Sequence, residues 1–450
     1  MRRIPQAAPL QRARLPFLAF LLIGLAVLPA PARGQVELHW WHAMSGANTD
    51  VIVGLADEFN ASQEDYRVIP SYKGSYEDTL RAGLAAAELG SPPHILQVFE
   101  VGATTMLAER RFIRSASDIM REAGEPLDPR SYLPAVTGHY SGLDGEMLSM
   151  PFNTSSMVMW LNIDALKRAG LGREPLATWP DVFAAARRLR RAGHATCGFS
   201  NAWSTWAHLE QLSAWHNLPI ATRANGLDGP DAVLVFNGPV QVRHLENLVE
   251  LQRDRSYDYS GRGSVGESRF IREECPIFLA SSAFYGALLA QARFAWKAAP
   301  MPIYPDVPGA PQNSIIGGGS LWAMAGKTEP EYRGVARFFS FLSEPERQLR
   351  LFERLGYIPS SLAAVRMMRD PGLDEAKRSL AVAMGELTNK EPTENSRGIR
   401  LGDMTRLRDI WSEEIEAALA RQKPAKAALD DAVARGNEVL RRFEARVARQ

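Results

Sequence analysis

Cysteine is nearly missing from this chain: Cys197 and Cys275 are the two that its 450 residues contain. Neither lies near the N-terminus, so no cysteine stands beside a cleavage site to accept lipid, and a chain without a lipid tether is expected. In an oxidising compartment the pair could form one disulfide. Two buried thiols are an equal alternative, because the sequence sets no distance between them. No apolar run reaches the roughly 20 residues that span a bilayer. Strong charge of either sign is lacking as well, with a formal net charge of +1, which gives nucleic acid nothing to hold. Neither a Gly-x-Ser-x-Gly elbow nor an HExxH helix occurs, so catalysis has no positive support and no cofactor or metal is expected. There are no internal repeats and no low-complexity linker.

What is present begins with an export signal. Arg2, Arg3, Arg12 and Arg14 precede an apolar run from Leu15 to Leu28, and Ala30-Pro31-Ala32 offers the small residues that a signal peptidase requires. Residues 1–34 therefore read as a secretory signal, and a soluble periplasmic chain is expected. Their removal takes five arginines and no acid from the 52 basic residues, leaving 47 against 51 acidic. The remaining length is long for one domain, and two lobes are expected.

Val36 to Trp41 reads as an apolar strand, after which Ile52, Leu55, Ala56 and Phe59 recur on one helix face. A second strand over Arg67 to Tyr72, a helix from Tyr76 to Leu89 and a third strand from His94 to Phe99 continue the alternation. Strands alternating with amphipathic helices imply parallel pairing. Met150 to Asn162 is a turn-rich entry into another strand, placing a crossing between lobes near 150. Asn201 to Leu218 reads as an unusually aromatic helix. Leu429, Val433, Gly436, Leu440 and Phe443 repeat as a packing helix.

Three features resemble sites without being them. Six residues separate Gly319 from Gly326-Lys327-Thr328 where a phosphate loop needs four, so a turn is the better reading. His39 and His42 point to opposite faces of a strand. His208 and Glu210 cannot share one helix face and need no catalytic account.

A series of segments spread over nearly the whole exported chain is similar to the periplasmic glycerol-3-phosphate-binding proteins of bacterial ABC importers. They are Trp41-His42 followed by Met44, SYKGSYE (71–77), ILQVFEVG (95–102), PFNTSS (151–156), WSTWAHLEQLSAW (203–215), LASSA (279–283), APQNSIIGGGSLW (310–322), GYIP (356–359) and RGIRLGDM (397–404). The resemblance implies an α/β, two-lobed periplasmic binding protein clamshell of type II, each lobe a mainly parallel sheet flanked by helices. It implies lobe I over 35–150 plus about 297–345, and lobe II over 151–296 plus about 346–450. The expected function is a receptor, not an enzyme, that captures sn-glycerol 3-phosphate or glycerophosphodiesters and hands them to ABC permease subunits at the inner membrane. A monomer is expected. An oligosaccharide receptor of the same fold is the alternative, and an extracellular phosphodiester hydrolase a more distant one.

Matched segment by segment, the family's ligand contacts fall on Tyr76, Glu100, Ser155, Ser281, Gly318, Tyr357 and Arg400, with Trp203 and Trp206 as aromatic walls. The residue types suit the chemistry. Arg400 offers a rigid fork for phosphate, and Ser155 and Ser281 supply hydroxyls beside what could be helix N-termini. Gly318 lets backbone approach a ligand oxygen. Tyr76 and Tyr357 donate phenolic hydrogen bonds, while Glu100 accepts from vicinal hydroxyls and so belongs at the glycerol end. The chain departs from the family pattern at Ala283, Phe284 and Gly319, which bear on the outer shape of the pocket.

Overall fold

The computed structural model describes residues 34–449 except 143, 173, 174, 194 and 369–374. The expected signal sequence lies, up to residue 33, outside the described residues. Strand β1 (Val36–His42) buries Leu38, Trp40 and His42 on one side, the period of two that a half-covered strand shows. The helix Ala47–Ser62 then lays Ile52, Leu55, Ala56 and Phe59 into the core, as their spacing predicts. β2 (Tyr66–Tyr72) and β3 (Ile95–Phe99) flank β1, and every residue of β3 is buried. Between β2 and β3, the helix Tyr76–Glu88 starts at a capping box in which Ser75 and Asp78 satisfy each other's backbone N–H.

The remaining strands are β4 (Ile113–Arg114), β5 (Met150–Ser155), β6 (Met157–Asn162), β7 (Phe199–Asn201), β8 (Ile277–Ser281), β9 (Trp296–Ala299) and β10 (Gly317–Met324). Six strands form one sheet in the order β2-β1-β3-β10-β4, with β5 also on β10. Four form a second in the order β7-β8-β6-β9. The expectation of mainly parallel sheets is corrected: five of the eight strand pairings run antiparallel. The physical reason is connectivity. A parallel neighbour needs a crossover between the strands, as β1 has with β2. β10 instead enters the first sheet on its return from the second, and so runs against β3, β4 and β5.

The chain passes from the first sheet to the second at Ser156, between β5 and β6, and returns between Ala299 and Gly317. The two passages touch, for the Ser156 hydroxyl lies 2.7 Å from that of Ser314. Each sheet carries its own aromatic core. On the first, Trp40 meets Phe152 and Phe338 edge-on, and Phe59 meets Phe338 and Phe341. On the second, Trp179 packs against Phe183, Phe199 and His244.

β7 and β8 pair in parallel with Phe199 opposite Ile277, which brings Cys197 and Cys275, at matching earlier positions, into a disulfide with a Cα–Cα distance of 4.8 Å. The helix Ala425–Val447 buries Leu429, Gly436, Leu440 and Phe443 and packs on the helix Met404–Leu419. Gly326-Lys327-Thr328 is a helix start: Thr328 and Glu331 form the capping box of the helix Glu329–Ser343, and Lys327 Nζ donates to the Pro92 carbonyl at 2.6 Å.

Candidate functional site

A cavity of about 490 Å³ lies between elements of the two sheets. Its first wall is the loop after β1, where Met44 is buried, together with the start of the helix Tyr76–Glu88 and the end of β3. A relay of side-chain amides sets this wall. Ala43 N–H donates to Gln97 Oε1 at 2.9 Å, Gln97 Nε2 donates to Asn153 Oδ1 at 2.9 Å, and Asn153 Nδ2 donates to the Tyr76 hydroxyl at 2.8 Å. Since that hydroxyl already accepts, its own proton is left to donate. The Tyr76 ring stacks on Phe99 at 5.3 Å, and both Tyr76 and Tyr357 have the Met44 sulfur beside their hydroxyls. Burial pushes the Tyr76 phenol well up and the Tyr357 phenol up to about 12, so both remain neutral donors.

The second wall comes from the four-stranded sheet. Ser281 ends β8, and its hydroxyl accepts from Ala283 N–H at 3.1 Å, capping the single 3-10 turn Ser282–Phe284. Trp203 takes a left-handed backbone with φ 53°, held by its N–H donating to the Gly263 carbonyl at 2.7 Å. A non-glycine residue there is uncommon and marks a place that the surroundings over-determine. The expected helix over 201–218 is instead the end of β7, this strained residue, a π-helical turn Trp206–Gln211 and a short helix Leu212–Trp215. Ser155 ends β5 rather than standing at a helix start, and Gly317 and Gly318 open β10 beside it. At Gly318 φ is 91°, and a Cβ would lie 1.7 Å from the Asn153 carbonyl oxygen. No side chain fits there.

On the floor, three charged groups interlock. Arg408, on the helix Met404–Leu419, donates from Nε to Glu210 Oε1 at 2.8 Å and from Nη2 to Glu210 Oε2 at 2.7 Å, while Nη2 also reaches Glu100 Oε1 at 3.0 Å. Of the five N–H groups of a guanidinium, those of Nη1 are left without a partner among the described residues. Burial pushes the Glu100 carboxyl up to about 7; the Arg408 charge opposes that rise and the nearby Glu210 adds to it. The two carboxylates more than offset the burial of Arg408 and hold it charged.

The structure therefore brings Tyr76, Glu100, Ser155, Trp203, Trp206, Ser281, Gly318 and Tyr357 to one cavity. It does not bring Arg400 there. The Arg400 Nη2 donates to the carbonyls of Gly138, His139 and Ser141 at 2.7, 3.0 and 2.9 Å, a clamp on the end of the helix Pro134–Tyr140. The arginine that lines the cavity is Arg408. Sequence reasoning also passes over Glu210, because a regular helix sets it apart from His208; the widened π turn buries Glu210 and Gln211 alike. Arg408 does carry a signal in the sequence. It sits on the border of the apolar stripe Met404, Leu407, Trp411, Ile415, where a charge is costly unless paired.

A profile of the family described as bacterial extracellular solute-binding protein matches residues 54–376. The sn-glycerol-3-phosphate-binding periplasmic protein UgpB of Rhizobium meliloti (strain 1021) is 42% identical over 410 residues, 91% of this chain and 95% of that protein. The protein of the same name from Escherichia coli O1:K1 / APEC is 41% identical over 426 residues, 94% of this chain and 97% of that one. Among solved structures, UgpB from Mycobacterium tuberculosis in complex with glycerophosphocholine has a TM-score of 0.74 at 18% identity, covering 91% of this chain and 99% of that one. The GacH receptor of Streptomyces glaucescens GLA.O has a TM-score of 0.75 at 15% identity, with 91% and 99% covered. At those identities the likeness speaks to the fold.

Proposed function

The chain belongs to the bacterial extracellular solute-binding protein family, and from that premise we propose that it is a periplasmic receptor for sn-glycerol 3-phosphate and its diesters, which it delivers to the permease of an ABC importer. The observation that carries the reading is the cavity, where neutral hydroxyl donors face a single, doubly paired guanidinium. Tyr76, Ser155, Ser281 and Tyr357, with the backbone at Gly318, take the phosphate oxygens. Hydroxyl and amide donors held in a partly dry site bind an anion without adding a counter-charge that would have to be desolvated in turn. Glu100 would repel phosphate and therefore takes the glycerol hydroxyls, with Arg408 Nη1 as donor beside it. The Trp203 and Trp206 rings cover the C–H edges. As a receptor, the protein needs no bond-breaking groups.

Two lobes follow from the two sheets, hinged where the chain passes at Ser156 and again before Gly317. Tyr76 and Glu100 stand on elements of one lobe, and Trp203 and Ser281 on elements of the other, so a ligand that touches both sets favours the closed form by its differential contacts. The protein acts as a monomer.

Calorimetry with glycerol 3-phosphate, glycerophosphocholine and maltose, joined to small-angle scattering, tests the proposal. Binding of the phosphate esters with a smaller radius of gyration is expected. Maltose binding alone would mean an oligosaccharide receptor, and release of free alcohol from the diester on prolonged incubation would mean a hydrolase.

A further inference from the structure

Within the receptor reading, on which this inference rests, one carboxylate of the cavity has no task. Glu267 lines the cavity on the side of the four-stranded sheet. It is half-buried and has no hydrogen-bond or ion-pair partner among the described residues. Toward a phosphate it gains little: ionised, it would repel the anion, and neutral, it offers one O–H donor with no charge to match. Glu77, on the helix Tyr76–Glu88, lines the cavity from the other side and is likewise without a partner among the described residues. Aromatic rings accompany them: Trp203 on the wall and Tyr72, half exposed, at the rim. An ammonium group is attracted both by carboxylates and by the faces of such rings.

Room is available too. Even at a whole water's share of about 30 Å³ per non-hydrogen atom, glycerol 3-phosphate fills at most about 300 Å³ of the 490 Å³. The space left suits a small alcohol substituent on the phosphate. We propose that Glu267, with Trp203 and Glu77, forms a second subsite that takes the ammonium group of a phosphodiester's alcohol, of the choline or ethanolamine class. Burial holds the Glu267 carboxyl up to about 8, so the empty cavity keeps it neutral and a bound cation draws it into its charged form. The net charge of the ligand thus becomes part of the recognition: a zwitterionic diester is matched, and an anionic one with a neutral alcohol is not.

Calorimetry of the full exported chain with glycerophosphocholine, glycerophosphoglycerol and glycerol 3-phosphate tests this. The unmodified protein should bind the choline diester about tenfold more tightly than the glycerol diester, the size of one modest charge contact. Glu267→Gln should erase that preference while binding glycerol 3-phosphate at least as tightly as before, and Glu77→Gln should reduce the preference by less. Equal binding of the two diesters by the unmodified protein, a measurement that needs no variant, would overturn the subsite and leave the receptor reading intact. So would a Glu267→Gln protein weakened equally toward all three ligands. Binding of none of the three would overturn the receptor reading itself.

Discussion

Arg400 and Arg408 flank the start of one helix, and their side chains serve different ends. The loop that carries Arg400 runs beside the helix Pro134–Tyr140, and its Nη2 is shared among three backbone carbonyls. One helical stretch further on, Arg408 turns inward to a pair of carboxylates and the cavity. A motif can thus mark the fold while the arginine picked from it stands outside the cavity. The two segments are also physically joined, through His139. Its carbonyl accepts from Arg400, and its ring Nε2 lies 3.0 Å from the carbonyl of Glu100, whose carboxylate accepts from Arg408.

The sharpest way to break this division of labour is Arg408→Ala. It removes the cation from the cavity and leaves Glu100 and Glu210 buried side by side. Losing one partner of a buried charge pair costs roughly 2–5 kcal/mol, about thirtyfold or more in affinity. We expect binding of glycerol 3-phosphate to fall below detection in calorimetry and the melting temperature to drop with it. Binding within a few-fold of the unmodified protein would remove Arg408 from the site.

Arg400→Ala should do the reverse. It strands carbonyls whose donor is gone, at about 1–3 kcal/mol of stability, while affinity stays within about threefold, a difference under about 1 kcal/mol. Denaturant midpoints and calorimetry on the same preparation separate the two quantities. If affinity collapses and stability does not, Arg400 belongs to the ligand after all.

The smallest effect sharpens the link between the two segments. Since a carbonyl only accepts, Nε2 of His139 carries the proton and Nδ1 is bare, buried and without a partner among the described residues. Burial, with the charges of Arg400 and Arg408 adding to it, pulls the His139 imidazole down to about 4. A histidine held neutral in the fold contributes stability that is whole above its unfolded pKa of about 6.5 and is lost as pH falls from there toward 4, by about 1.4 kcal/mol per pH unit. His42, His208 and His216 are lowered in the same way. The test is therefore a difference, in which His139→Gln should lose less stability between pH 6.5 and 5 than the unmodified protein. Equal slopes would mean that His139 is charged in both states or in neither.

Much of this molecule is legible in its sequence, and for identifiable reasons. Ile52, Leu55, Ala56 and Phe59 declare a helix because a period of 3.6 is local, and Ser75 with Asp78 declares where the next one begins. Strand direction is not local. It depends on where β10 re-enters after its excursion, which no periodicity records. In the site, eight of the nine expected residues reach the cavity, six of them at or next to the end of a regular element, where an error of one residue changes little. Arg400 stands outside the cavity, turned by its loop toward the carbonyls of Gly138, His139 and Ser141. Glu210 is missed because a π turn carries no signature in hydrophobic spacing.

Gly318 bears on how relatives of this chain are to be read. Its identity is imposed by the Asn153 carbonyl pressed against it, not by anything a ligand asks for. A glycine shared at this position therefore testifies that two chains thread the crossing between sheets in the same way, and is silent on whether they carry the same cargo. Evidence for shared cargo has to come from positions where several side chains would fit, and under the proposed reading those in this cavity are Glu100, Trp203 and Glu267.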